Sequence, residues 1–203
     1  MIKPNDGKTS LTAMIVLAGI LLCMIPTGAA ITLNIFGNAN MDDTINSDDI
    51  AYLQGIINGT FEETKLADSN NDGKIDEDDV AQAELIIRGE EKELTLTDSA
   101  NRTVTINMPV EKIAALHTSP CREFCMLMAQ DQVAGVTEYL FDDPDMYPGL
   151  GEKANIGSSA TPNYEKITEI RPDVLICQLS KQYLDPVVDT TEPLGIDVVS
   201  LDL

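Results

Sequence analysis

An α/β fold, a parallel sheet with covering helices, preceded by a small all-α module built on two acidic loops, is what this sequence predicts. Three observations carry the prediction. From residue 112 onward short apolar β-type runs alternate with helical ones, the order that buries a parallel sheet between helices. A twelve-residue acidic frame at 68–79 recurs thirty residues earlier, at 38–49, and each copy is followed by apolar residues at helical spacing. Ahead of both, residues 11–33 carry no charge.

The first element, residues 1–30, has the form of an export leader: Lys3 and Lys8, then the uncharged stretch. Its densest apolar part, residues 11–25, is short for a membrane span, and TGAA at 27–30 supplies the small residues of a cleavage site. The whole uncharged run of 23 residues is nevertheless long enough to cross a bilayer. A cleaved signal peptide and a membrane anchor both remain open. In either case the rest of the chain is expected outside the cytoplasm, at the cell surface or in a periplasm-like space.

The second element, residues 34–90, is defined by its acidic loops. DSNNDGKIDEDD, residues 68–79, holds six carboxylates and reads as a solvated acidic run or as a cation cage. The register favours the cage. Asp68, Asn70, Asp72, Lys74, Asp76 and Asp79 stand at positions 1, 3, 5, 7, 9 and 12 of an EF-hand-type calcium loop. Position 7 contributes its main-chain carbonyl, Gly73 at position 6 permits the sharp turn, and Ile75 at position 8 points to a core. NANMDDTINSDD, residues 38–49, offers Asn38, Asn40, Asp42, Thr44, Asn46 and Asp49 in the same places. Two calcium ions are therefore expected, the second loop binding the more tightly because the first has neutral Asn38 at position 1 and Asp43 where glycine is usual.

Behind each loop comes a helix. Ile50, Leu53, Ile56 and Ile57 in the first, and Val80, Ala83, Ile86 and Ile87 in the second, recur at three- and four-residue steps. Each stripe needs a partner, so the helices are expected to pack on each other, with Gly59 and Gly89 as their stops. A pair of loops with exit helices only, and Asp at position 12, resembles a type I dockerin over residues 34–90. That resemblance implies a cohesin-type protein partner contacted through Ser47, Asp48, Glu77 and Asp78, at loop positions 10 and 11. A calcium-stiffened spacer fits the same residues.

From residue 94 to 203 a second domain is expected. ELTLTDSANRTVTIN reads as a hairpin, followed by strands at 112–116, 133–137, 174–177 and 196–201 and helices at 120–130 and 163–169. In an open parallel sheet, ligands bind beyond the carboxyl ends of the strands. Those ends are followed by His117, Thr118 and Ser119; by Glu138 and Tyr139; by Ser158 and Ser159; and by Gln178 and Ser180. His117, the sole histidine, is either a ligand of a chelated metal or a surface hydrogen-bonder, and Tyr139 either stacks on a ligand or packs.

Four segments in order, LTDSANRTVTINMPVEKIAAL, VAGVTEY, NIGSSATPNYEKITEIRPDVLI and LGIDVVSL, resemble the amino-terminal lobe of ABC-importer substrate-binding proteins for iron-siderophores, haem and cobalamin. Such proteins have two lobes joined by a long helix and hold the ligand between them. The resemblance ends at Leu203, without that helix or the carboxyl-terminal lobe, so a fragment or truncated product is expected, with weak binding. It also implies an ABC permease as partner, docked through Glu123; a solvated helix carboxylate is the alternative.

HTSPCREFC places His117, Cys121 and Cys125 at four-residue steps, a spacing that a metal site shares with a core stripe. With Ser119 as cap and Pro120 in the first turn, Cys121, Phe124, Cys125 and Met128 form one apolar face, and core cysteines are the expectation. Cys121, Cys125 and Cys177 are an odd number beyond the leader, which argues against a disulfide framework. The net charge of −21 excludes nucleic acid as a natural partner. No nucleophile–base pair or phosphate loop points to an enzyme. Two functions follow: uptake of a metal chelate, or surface assembly through the loop module with a passive lobe.

Overall fold

The computed structural model describes residues 34–201 other than 43 and 179, so the leader expected at residues 1–30 lies outside the described residues. The chain divides into two compact units on either side of the Met108–Pro109 bond. Among the described residues, no helix is long and apolar enough to cross a membrane.

In the first unit each acidic loop runs into a helix, α1 (Ser47–Ile57) and α2 (Glu77–Arg88). Both helices begin in a capping box. Asn46 and Asp76 are the caps, and Asp49 and Asp79 at the third helical position reach back to them. The last residue of each acidic frame thus also starts its helix. Both helices end at a left-handed glycine, Gly59 and Gly89. The helices pack on each other as expected, through Leu53, Ile56, Val80 and Ala83, with Ala39 and Ala67 beside the loops. Ile87 departs from the expected stripe: it is 42% exposed, at the edge of the helix face rather than under it.

This unit is not purely helical. A short strand β1 (Asn34–Ile35) pairs antiparallel with β2 (Glu93–Thr97), which forms the predicted hairpin with β3 (Thr103–Asn107). At its turn the Asp98 carboxylate accepts from the Ala100 and Arg102 amides and from the Arg102 guanidinium. The alternation of residues 93–107 foretold the hairpin and placed it at the head of the α/β domain. Pairing with β1 instead groups it with the acidic loops, and the boundary falls after Met108.

Leu53→Ala tests that core. Leu53 is fully buried between the helices, and its truncation is expected to lower the unfolding free energy of this unit by about 2–5 kcal/mol in urea unfolding. A loss below about 1 kcal/mol would contradict the packing.

The second unit is a five-stranded sheet in the order β6-β5-β4-β7-β8, every pair parallel. Its strands are β4 (Ile113–Ala115), β5 (Val133–Val136), β6 (Ala154–Asn155), β7 (Val174–Cys177) and β8 (Asp197–Ser200). The connecting helices are α3 (Thr118–Met126), α4 (Tyr164–Ile170) and α5 (Lys181–Thr191). The α/β architecture expected from the alternation of runs is present. Strands β4 and β7 are buried at every position, as their unbroken apolar sequences require. Because all strands are parallel, their carboxyl ends share one edge, and the strand order reverses beside β4, where the chain crosses from β6 to β7.

Candidate functional sites: the acidic loops and the strand-end edge

The two loops share one set of hydrogen bonds at positions 3, 5, 9 and 12. Asn40 N donates to Asp49 Oδ1 at 3.1 Å, and Asn70 N to Asp79 Oδ1 at 3.2 Å. Asn46 N and Asp76 N reach the second oxygens of the same carboxylates, both at 2.8 Å. Within the loops, Asn40 and Asn70 accept from the amides of Asp42 and Asp72, and Asp42 and Asp72 from those of Thr44 and Lys74. Asn46 and Asp76 accept from the amides of Asp48 and Asp78. Position 4 is left-handed in both, Met41 with φ 60° and Asn71 with φ 56°. Alternate side chains at positions 3, 5, 9 and 12 therefore bend the main chain into the same curve twice.

Where the loops differ, the sequence differs. In the second, the Asp68 carboxylate accepts from Asp72 N at 3.0 Å and Gly73 N at 2.9 Å, and Gly73 has φ 88°. In the first, the Asn38 amide donates to the Asp42 carbonyl, and Asn38 Oδ1 is buried with no hydrogen-bond partner among the described residues. Asp43 lies outside the described residues.

The two position-12 carboxylates, Asp49 and Asp79, are fully buried. Burial pushes both acids up, and the acidic neighbours Asp42 and Asp68 push the same way, against the amides that hydrogen-bond them. Among the described residues no three His, Cys, Asp or Glu side chains are gathered as a metal cage. The remaining oxygens of the frames belong to the carboxylates of Asp42, Asp68, Asp72 and Asp76, to asparagine side chains, and to the main chain at Thr44 and Lys74. Ser47, Asp48, Glu77 and Asp78 are exposed on the first turns of α1 and α2.

At the strand-end edge of the second unit, β4 leads into His117, Thr118 and Ser119, and β7 into Gln178, all half-buried. These two ends flank the place where the strand order reverses. The end of β5 continues into a turn, Glu138–Asp142, in which Glu138 and Tyr139 are exposed and Glu138 N donates to Gly157 O at 2.8 Å. Ser158 and Ser159 behave differently from the other cleft candidates. Both are buried; Ser158 Oγ pairs with Thr161 Oγ1 at 2.9 Å, and Ser159 Oγ donates to Leu116 O at 3.0 Å. Ser159 pins the loop after β6 to the end of β4, and Ser158 closes that loop on itself. Thr137, outside the residues expected at this edge, is fully buried at the end of β5 with its hydroxyl unpartnered among the described residues. Its only sequence signal was a hydroxyl residue directly after the apolar run VAGV.

Helix α3 starts two residues earlier than expected. Its cap is His117, whose Nδ1 accepts from Ser119 N at 3.3 Å, so Ser119 is a helical residue and not the cap. It also ends early. Leu127 N and Ala129 N close back onto Glu123 O and Phe124 O, and Met128 turns left-handed with φ 57°, leaving its side chain 84% exposed. The core face is thus Cys121 and Phe124, both fully buried, with Cys125 half-buried and Met128 outside it. Glu123 is half-buried on the same helix.

Burial pushes the Cys121 thiol up to about 12 and raises Cys125 as well. Both therefore stay protonated at neutral pH, unlike metal-binding or reactive cysteines. In the folded protein at pH 8, Ellman's reagent is expected to modify Cys125 before Cys121 and Cys177, which are buried and react on denaturation. Peptide mapping that found Cys121 modified first would contradict this arrangement.

No protein-family model matches the sequence, and no curated protein matches it. Among solved structures, the chain is similar to the molybdate periplasmic binding protein MolA of Haemophilus influenzae, with 22% identity, TM-score 0.44, and 54% of this chain and 34% of that chain covered. It is similar to CeuE of Helicobacter pylori with nickel and histidine, at 20% identity, TM-score 0.42, and 55% and 37% coverage. A third is the iron-uptake ABC transporter substrate-binding protein PiuA of Streptococcus pneumoniae, at 22% identity, TM-score 0.41, and 53% and 36% coverage. The chain spans about a third of the length of these structures.

Proposed function

We propose that this chain is the extracytoplasmic substrate-binding component of an ABC importer for a metal chelate and carries a calcium-binding, dockerin-like module. The observation that carries the first half is the strand-end edge of the parallel sheet, with His117 after β4 and Gln178 after β7 on either side of the order reversal. That is where open α/β sheets hold ligands. His117 accepts a backbone amide at Nδ1, so its proton sits on Nε2. The imidazole then offers a hydrogen bond to an oxygen of the chelate rather than a lone pair to its metal. A ferric siderophore, rich in anionic oxygens, suits that donor together with Thr118, Ser119 and Gln178 better than a porphyrin or corrin does. Tyr139, 52% exposed after the neighbouring strand β5, supplies an apolar face.

The loop module fits a hard cation on three counts. Its donors are all oxygens, the position-12 carboxylates are buried among other acids, and Asn38 Oδ1 lacks a partner among the described residues. Asn38, Asn40, Asp42, Thr44, Asn46 and Asp49 would hold one ion, and Asp68, Asn70, Asp72, Lys74, Asp76 and Asp79 the other, with Thr44 and Lys74 acting through their carbonyls. A bound ion would offset part of each loop's negative charge and add stability by mass action. Exposed Ser47, Asp48, Glu77 and Asp78 would then face a cohesin-type partner, and Glu123 a permease.

The test is equilibrium dialysis of the full chain against a ferric catecholate, a ferric hydroxamate, haem and cyanocobalamin. One lobe makes only part of a cleft, so saturable binding of a ferric siderophore with Kd of about 10 μM–1 mM is expected. No binding of any of the four at about 1 mM, together with calcium-dependent capture of a cohesin, would favour a surface assembly protein with a passive lobe.

A further inference from the structure

The hairpin is tied to the flanks of both acidic loops. On the side of the first loop, β1 ends three residues before Asn38; Asn34 and Ile35 pair with Thr97 and Leu96, and Phe36 N donates to Thr95 O at 2.9 Å. On the side of the second, the helix that leaves the loop sends Gln82 Nε2 to Glu93 O at 2.8 Å. The two loops are also laced to each other where they begin. Gly37 N donates to Leu66 O at 2.8 Å, Thr64 Oγ1 to Ala39 O at 2.7 Å, and Lys65 Nζ to Asn34 Oδ1 at 3.3 Å. A hairpin standing alone is marginal in water. This one borrows its third strand from the segment that positions the first acidic frame.

We propose that cation occupancy of the acidic loops is transmitted to the hairpin 93–107, so that the loops and the hairpin open and close as one unit. This rests on the calcium reading above. If the hairpin opened by itself, its amides would exchange at a rate independent of the cation. If it opens only when the whole unit does, a ligand held by the closed form slows its exchange by a factor of one plus the ratio of free ligand to Kd. The coupling makes the hairpin, the last structure before the chain enters the α/β unit, a calcium-dependent element.

The experiment is hydrogen–deuterium exchange on the full chain, with the calcium Kd first fixed by calorimetry and calcium then added at a hundredfold excess. Amides in 93–107 are expected to slow about 100-fold per occupied site, while those of β5 and β7 in the α/β unit do not change. In an Asp49→Ala/Asp79→Ala double variant the calcium effect on 93–107 is expected to vanish. Protection of 38–49 and 68–79 with unchanged exchange in 93–107 would overturn the coupling and leave calcium binding standing. Slowing that persists in the double variant would also overturn it. Absence of calorimetric binding would overturn the calcium reading itself and the coupling with it.

Discussion

Asp79→Ala is expected to raise the calcium Kd of the second loop at least about 100-fold and to halve the calcium stoichiometry measured near 1 mM free ion. Three functions meet in this one fully buried carboxylate. It accepts the amides of Asn70 and Asp76 through its two oxygens, completes the capping box of α2, and stands at position 12 of the frame. Alanine leaves two amides without an acceptor and removes the reciprocal half of the capping box, while Asp76 still caps the helix through the Asp78 amide, so the calcium-free protein should also lose about 1–3 kcal/mol. Asp49→Ala in the first loop removes the same bonds, yet costs less calcium binding. That loop has a neutral Asn38 in the place of Asp68 and so starts from a weaker site. Equal effects of the two substitutions, or an unchanged stoichiometry in Asp79→Ala, would contradict the ranking of the loops.

Gly157→Ala is expected to dismantle the strand-end edge. Gly157 has φ 80°, and a Cβ there would lie 2.3 Å from Thr161 O and 3.0 Å from Asn163 N. Both are main-chain atoms and have no side-chain freedom to move aside. The same residue accepts from Glu138 N at 2.8 Å and donates to Asn155 Oδ1 at 2.9 Å, so displacing it shifts the turn that carries Tyr139 as well as the loop of Ser158 and Ser159. Strain and clash together should cost about 2–4 kcal/mol, read as a fall in Tm of the α/β unit of about 10 °C or more, with loss of chelate binding. A variant with Tm within about 2 °C of the parent and intact binding would show that the loop is not held as described.

The parts of this structure that were legible in the sequence are those whose cause is local. The acidic frames, their capping residues and the helix stops at Gly59 and Gly89 depend on fixed short spacings, and the structure builds both loops with the same hydrogen bonds at positions 3, 5, 9 and 12. Runs such as VLIC and VAGV announce buried strands because nothing in them is polar. What escaped depends on pairing at a distance or on how a periodic pattern stops. β1 is two residues long and has no alternation to read, yet it decides which unit holds the hairpin. β6 is equally short, and α5 carries Pro186 in its interior, a poor helix signal.

The apolar step from Cys121 through Met128 continues past the true end of α3, because a methionine and not a glycine takes the left-handed turn there. Of the strand-end candidates, the structure leaves His117, Thr118, Ser119, Tyr139 and Gln178 at least partly accessible and buries Ser158 and Ser159 in the loop framework. Sequence position alone cannot separate a hydroxyl that meets a ligand from one that pins a turn.

The measurement that bears most directly on the acidic frames is a calorimetric titration of the full chain with calcium. The geometry of the loops predicts saturable heat from two unequal sites, the tighter one lost in Asp79→Ala. A chain that gives no saturable heat up to about 10 mM calcium, roughly ten times the weak end of extracellular affinities, would contradict it.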